Sequence, residues 1–590
     1  MADSLAQAKY DIKEQPDSQH EHKEPSEGST SDAEKHAGRD IYPVPTEDQE
    51  YVVTKKTWLV VMTLAFSYGV SFWPVPFFST IQTQIVTEFG TSPRYGTWFT
   101  SVYIIPVAII FMICGANSDL FGRRWFIIGG NIFVFVGSIV GATSHSLGQS
   151  IAAHVLLGIG AGNCQMAAFA LPELLPNRWR HIGVVLADGA AFFCVIAGPV
   201  TARVAIRHGE SWRWGYWSMA ISIAFSFAIL FLYYYPPQHP RGTPWDQALR
   251  TLDWVGILTF TAAAAMILTG IVYVQLVPAN APRVIGLLVA GFACLIFFGL
   301  WETFAPLKAP LTPTRLFTNN KGRTLSAPFV VGLVTTMYYF GLNLLWGEMI
   351  SYLFTTPTTP VTHIYWLATV QGFGTLLGGL LLSFLGNQVQ HWRWQMGLSV
   401  TWMTFWGGLL AYTTPAREGL AIAFAFLSAT GFGWAQYLSI TYIQFGADQT
   451  ELGIAGGLAG VAREGGGAIA VTVFQTILVS VQSNYASSHV VQAAEKAGAS
   501  QKVAEAVAAA LPLGTVSSVK GVTTAIATAA GAAFTESYVH GLRTVALTLC
   551  GFGGCAMIAC LFLEDIGPKM TRKIEIFLEN TSEAHKNKYH

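Results

Sequence analysis

Six ionisable side chains stand in or at the end of long apolar runs, where water is not at hand to stabilise a charge: His154, Glu173, Asp188, Glu348, Arg463 and Glu464. An ionisable group placed deep in a bilayer costs about 2.5–3.5 kcal/mol even on lenient insertion scales, so each of these asks for a physical reason. For Asp188 and Glu348 one reason is proton exchange. Burial favours a neutral carboxyl and access to water a charged one, so alternating between the two moves a proton. A static pair, or a position at the edge of the apolar layer, is the other reading. Arg463 and Glu464 are adjacent and opposite in sign, which suits a structural pair or a latch between two parts of the chain. Glu173 closes its run and is expected to be a third partner for Asp119 and Arg123. His154 reads either as a proton relay or as a side chain hydrogen-bonded to a neighbouring helix.

Other chemistry lacks its residues. No G-x-S-x-G, H-E-x-x-H or G-x-x-x-x-G-K-[ST] string occurs, so the chain reads as neither an enzyme nor an ATP-driven pump. The seven cysteines (Cys114, Cys164, Cys194, Cys294, Cys550, Cys555 and Cys560) lie in apolar runs without metal-ligand spacing. They read as small packing residues, and no metal is expected.

The elements that must position these groups are membrane spans. Of 590 residues 52% are hydrophobic and only 12% are charged, against roughly twice that charge in a soluble domain. The 34 basic and 34 acidic residues cancel, leaving no basic field for nucleic acid. Crossing a bilayer takes about 20 apolar residues. Runs of that kind begin near Thr57, Trp98, Trp125, Ile151, Ile182 and Trp214, then occupy 252–275 and 284–304. Six more begin near Leu325, Tyr365, Gln395, Leu420, Ile454 and Leu542. The layout of six, two and six predicts an all-α polytopic membrane protein with about 14 transmembrane helices.

Residues 1–50 are polar and cannot bury enough surface to order themselves, so a disordered cytoplasmic tail is expected there. With no apolar core, that tail is not a cleavable signal peptide. An N-terminal half follows at 51–236, a linker with the two extra spans at 237–323, a C-terminal half at 324–565 and a second cytoplasmic tail at 566–590. The C-terminal half includes a long outside loop at 482–535, rich in Ala, with an amphipathic helix around Gln492 to Ala510. The loop reads as a flexible cap or as a substrate-gating segment. An even number of spans puts both ends on one side. Arg123, Arg124, Arg178, Arg180, Arg241, Arg250, Lys308, Arg315, Lys321 and Arg323 then share that side with the C-terminal tail, which makes both termini cytoplasmic.

The string GANSDLFGRR, Gly115 to Arg124 after the second span, resembles the G-x-x-x-D-x-x-G-R-R signature of the major facilitator superfamily. Leu120 stands where a basic residue is frequent. Gly115 and Gly122 allow a tight turn and close helix approach. Asp119 can pair with Arg123 and with a helix N-terminus of the opposite half, and such a cluster would latch one conformation. Gly189, Gly198 and Pro199 have the G-x8-G-P spacing of the antiporter motif in proton-coupled exporters. They suit a hinge or a proton-tight seal, or ordinary small-residue packing.

Further strings are Trp212-Arg213-Trp214, Leu252-Asp253-Trp254-Val255-Gly256, the run Ala170 to Arg180, and the glycine-rich run Gly453 to Gly467 around Arg463. They resemble fourteen-span fungal drug exporters and, within them, the fungal trichothecene efflux pump family. The resemblance covers about 50–565. It implies a major facilitator fold of two six-helix halves with two linker helices, in a fungal plasma-membrane carrier. The energy source would be the proton gradient, with no cofactor. The expected partners are a small-molecule substrate, protons and lipid, in a monomer. Export of a hydrophobic secondary metabolite, mycotoxin or drug is the leading expectation, and ferric siderophore uptake, known among close relatives, is the alternative. The first span lacks the embedded Asp of many drug exporters, and His154 stands where Arg is common. Aromatics including Trp73, Tyr338, Trp346, Trp434 and Tyr437 are expected to line a central cavity at the midplane.

Overall fold

The computed structural model describes residues 53–571, apart from 92, 208, 237–242, 275–276, 279, 357, 449–450, 514 and 517–518. The tail expected at 1–50 and most of the tail at 566–590 lie outside the described residues.

Among the described residues, thirteen helices are long and apolar enough to cross a membrane. In the first half these are α1 (Lys55–Glu88), α2 (Ser101–Phe121), α3 (Arg123–Ala142), α4 (Leu147–Glu173), α5 (Asn177–Ile206) and α6 (Arg213–Tyr233). The linker contributes α7 (Trp254–Tyr273) and α8 (Pro282–Phe304). The second half begins with α9 (Ser326–Phe354) and α10 (Val361–Val389). A fourteenth helix, α11 (Trp392–Leu409), follows; Arg393, Gln395, Ser399 and Thr404 keep it less apolar, yet it packs against its neighbours as the others do. Last come α12 (Pro415–Phe445), α13 (Leu452–Lys496) and α14 (Thr524–Cys560).

Among the described residues α1, α4 and α5 are each built from two α-helical segments, α4 dividing after Cys164. In α1, Pro74 begins a new helical segment after Trp73 because proline has no N–H to continue the ladder. In α5 the break falls at Asp188, between segments Arg180–Ala187 and Gly189–Ile206.

Each half has its own apolar core, one built from α1 to α6 and the other mainly from α9 to α14. They meet along two seams, α2 against α13 and α5 against α10. The linker pair flanks the bundle, α7 touching both α2 and α13, with α8 outermost. Large apolar side chains such as Phe193, Ile221, Phe225, Leu258, Ile296 and Phe384 point outward, as a lipid-facing surface requires. Asp253 explains its string: it caps α7 by accepting from Gly256 N–H at 2.9 Å and takes the Trp301 indole N–H at 2.9 Å, stapling α7 to α8.

The long loop expected at 482–535 is largely helical. α13 runs for 45 residues, roughly 67 Å at about 1.5 Å per residue, and so projects well past a bilayer core of about 30 Å. α14 begins at Thr524 instead of near Leu542. Between them lies a cap helix, Gln501–Ala510. The single amphipathic helix expected at 492–510 is two pieces, interrupted after Lys496, where Gly498 takes a φ of 96°. Alanine is the strongest helix former, and Val490, Ala494, Ala504, Val507, Ile526 and Ala530 give the three segments a small core.

Candidate functional site

At one end of the bundle, here the latch end, the halves are locked together. Asp119 is buried at the end of α2 and accepts the Gly453 N–H, the first turn of α13, through both carboxylate oxygens at 3.0 Å. A helix N-terminus carries unsatisfied N–H groups and partial positive charge, so the carboxylate satisfies both. Arg123 holds Asp119 from the other side at 3.2 Å and pairs with Glu173 of α4. A Cβ on Gly115 would lie 2.9 Å from the Cα of Gly457, so only glycine lets α2 and α13 come this close. Gly122 turns the chain at a φ of 84°, a region that disfavours any residue with a Cβ. Arg124 does not join this cluster. Its guanidinium reaches the Phe231 carbonyl at 2.9 Å and lies over Tyr235, tying α3 to the end of α6.

More cross-half bonds seal the same end. The Gln444 amide donates to the Ala168 carbonyl at 2.9 Å and the Asn387 amide to the Arg178 carbonyl at 3.1 Å.

Deeper in the bundle, Asp188 and Arg463 meet. The Arg463 guanidinium donates to both Asp188 oxygens, at 3.1 and 3.0 Å, and also to the Tyr68 hydroxyl. Glu464 lies on its other side at 3.7 Å. Thus one arginine of the C-terminal half is held between a carboxylate of the N-terminal half and a carboxylate of its own helix. The break in α5 is what presents Asp188, and Gly189 leaves open space behind it. Gly198 faces Pro76 of α1, where a Cβ would come within 3.0 Å, and Pro199 lines the cavity above. The G-x8-G-P residues thus let α5 bend and approach α1.

The cluster forms the floor of a stepped cavity between the halves. The innermost space, about 40 Å³, is bounded by Phe72, Phe192, Tyr339, Phe340, Phe432, Tyr437, Asp188, Arg463 and Glu464. Above it lie a chamber of about 160 Å³ and a vestibule of about 420 Å³, and Phe340 borders all three. Glu348 lies on the vestibule wall and Trp346 on the chamber wall, where its indole N–H is bound to the Leu367 carbonyl at 2.8 Å. The cavity widens away from the latch, so this conformation is open at the opposite end.

Several expected residues stand elsewhere. Tyr338 is fully buried inside the C-terminal half, donating to the Met403 carbonyl at 3.0 Å; one position along, Tyr339 lines the cavity instead. A shift of one residue turns a helical side chain by about 100°, and periodicity with no polar face cannot choose between the two. Trp73 faces a lipid-side pocket with Phe66 and Phe193, and Trp434 packs against the C-terminal core; neither borders the stepped cavity. His154 is sealed within the first half, bonded to the Ser150 carbonyl at 2.9 Å and packed between Phe78 and Phe99, away from the cavity. Sequence reasoning missed Tyr68, the cavity-lining Gln436 and the latch-end Gln444. Uncharged side chains in an apolar run carry little cost, so nothing singled them out.

Two like-sized helical halves, sealed at one end around a charged floor, define a class: a multi-pass transporter of the major facilitator type. The proton:xylose symporter XylE shares this fold, with a TM-score of 0.51 over 90% of this chain and 100% of its own at 13% identity. Residues 60–590 match the family described as "Fungal trichothecene efflux pump (TRI12)", and the chain belongs to that family. It is 39% identical to MFS-type transporter prx5 of Penicillium rubens, over 89% of this chain and 94% of that protein. It is 24% identical to trichothecene efflux pump TRI12 of Fusarium sporotrichioides, over 85% of each.

Proposed function

We propose that this transporter exports a hydrophobic secondary metabolite, mycotoxin or drug from a fungal cell in exchange for protons. It would work as a monomer in the plasma membrane, with the latch end and both termini in the cytoplasm. The observation that carries the reading is the Asp188–Arg463 pair, one partner from each half, at the floor of an aromatic-lined cavity. A proton on Asp188 would cancel its attraction for Arg463, leave the arginine to Glu464, and release the halves from each other at midplane. The direction of transport is supported by the family and by the name of the Fusarium relative. The excess of Lys and Arg at the latch end supports its cytoplasmic placement.

The test is accumulation of a labelled trichothecene and a labelled ferric siderophore in a fungal deletion strain with and without the gene. Lower toxin retention, abolished by a protonophore, is expected. Gene-dependent siderophore accumulation would reverse the direction and name the other ligand. Asp188→Asn should lower proton-driven efflux at least tenfold while leaving energy-independent exchange across vesicles measurable. Unchanged efflux in that variant would remove Asp188 from the coupling.

A further inference from the structure

The open vestibule holds two charges of opposite sign on opposite halves. Arg203 lies near the outer end of α5, in the N-terminal half, and Glu348 lies in the outer part of α9, in the C-terminal half. Among the described residues they are the only charged side chains on its walls, where the other polar groups, such as Gln82, Asn343 and Gln475, are neutral. Among the described residues no ion pair joins them, and the Nη1 of Arg203 is buried without a hydrogen-bond partner. Arg203 also borders the chamber below, where among the described residues it is the one charged side chain on the wall.

We propose that Arg203 and Glu348 are the two halves of an outer gate: they stand apart while the latch is closed, and come together as an ion pair when the latch end opens. Transporters of this build alternate by rocking one half against the other about a central site. With the latch shut through Asp119 and Gly453, the vestibule between the far walls holds about 420 Å³. Rocking that parts α2 from α13 must draw the vestibule walls together and expel the water between them. Opposite charges in water attract weakly, and the attraction grows as water leaves. The pair therefore does little in the open state and acts as the walls converge. A single charge trapped there would oppose closure, whereas a matched pair offsets much of the desolvation of both. Because that offset leaves little net gain, the gate closes without locking. The latch has a helix N-terminus and backbone N–H donors in addition to charge, and holds more firmly. The two ends thus differ in strength, and the open-vestibule state is the resting one. This assigns Glu348 a place in gating instead of proton exchange.

The inference rests on alternating access alone and not on the ligand or the driving gradient, so its test uses neither. In membranes carrying the full chain with its native cysteines replaced, Arg203→Cys and Glu348→Cys are combined and oxidised with copper phenanthroline. A protease site in the linker lets a gel read the cross-link. Disulfide formation at least tenfold faster in the Asp119→Asn background than with the latch intact is expected; equal rates, or no cross-link in either background, would overturn the proposal. A second arm reads labelling of Asn343→Cys by an impermeant maleimide in the Asp119→Asn background. Arg203→Glu should raise the labelling rate severalfold by setting two carboxylates face to face, and adding Glu348→Arg should restore protection. If the double reversal labels as fast as the single, the two residues do not meet and the gate is refuted.

Discussion

Gly115 and Asp119 share a task that neither performs alone. The glycine removes the Cβ that would hold α2 away from Gly457, and the carboxylate then finds the Gly453 N–H within hydrogen-bond range. Gly115→Val should therefore keep the fold but prevent the latch from closing, because the misfit is confined to one seam between two separately packed halves. The expected result is a severalfold loss of transport together with faster labelling of a cysteine at Gln444, a site buried in the closed latch. Wild-type labelling in that variant would show that the close approach is dispensable. At Gly122 the cost is local instead. Its φ of 84° and ψ of 148° put Gly122→Ala at about 1–3 kcal/mol of backbone strain, readable as a lower melting temperature in detergent. An unchanged melting temperature would mean that the turn relaxes.

The broken helix α5 is the element through which the midplane cluster works. The junction between its segments Arg180–Ala187 and Gly189–Ile206 falls at Asp188, whose carboxylate faces Arg463. The linker pair shows how one capping residue can organise two spans. Asp253→Ala removes both the cap on α7 and the Trp301 bond, with an expected cost of about 1 kcal/mol for the cap. Thermal unfolding of the purified protein would measure this, while efflux should stay near the wild-type rate since α7 and α8 contribute little to the cavity floor. The cap helix has a core of its own, so Val507→Asp should expose the 497–523 stretch to protease without altering labelling inside the cavity.

For the whole molecule, the latch is closed at one end and the cavity widens toward the other, which is one state of the cycle proposed above. An impermeant thiol reagent applied from outside should label Asn343→Cys readily and Gln444→Cys hardly at all, since the first lines the vestibule and the second is sealed between the halves. A protonation that releases Asp188 from Arg463 should slow external labelling of Asn343→Cys and expose Gln444→Cys to the same reagent applied from the latch side. Acidifying only the outside of sealed vesicles tests it, and unchanged labelling at both positions would separate the midplane pair from the conformational switch.

Much of this was determined by the sequence alone. Each span announces itself by length and apolarity, because a bilayer leaves a helix no other way to satisfy its backbone. Asp188, Glu348, Arg463 and Glu464 stood out because charge in an apolar run is costly, whereas Gly115, Asp119, Gly122 and Arg123 were singled out by their resemblance to the G-x-x-x-D-x-x-G-R-R signature. The sequence could not say that Asp188 and Arg463, 275 positions apart, share one ion pair. Nor could it say that Arg124 turns away from the latch or that His154 is enclosed by aromatics. It could not choose between Tyr338 and Tyr339, nor see that the Ala-rich loop would fold upon itself. Local sequence sets how expensive a side chain is in its layer; only the packing of one helix face against another decides which partner meets that expense.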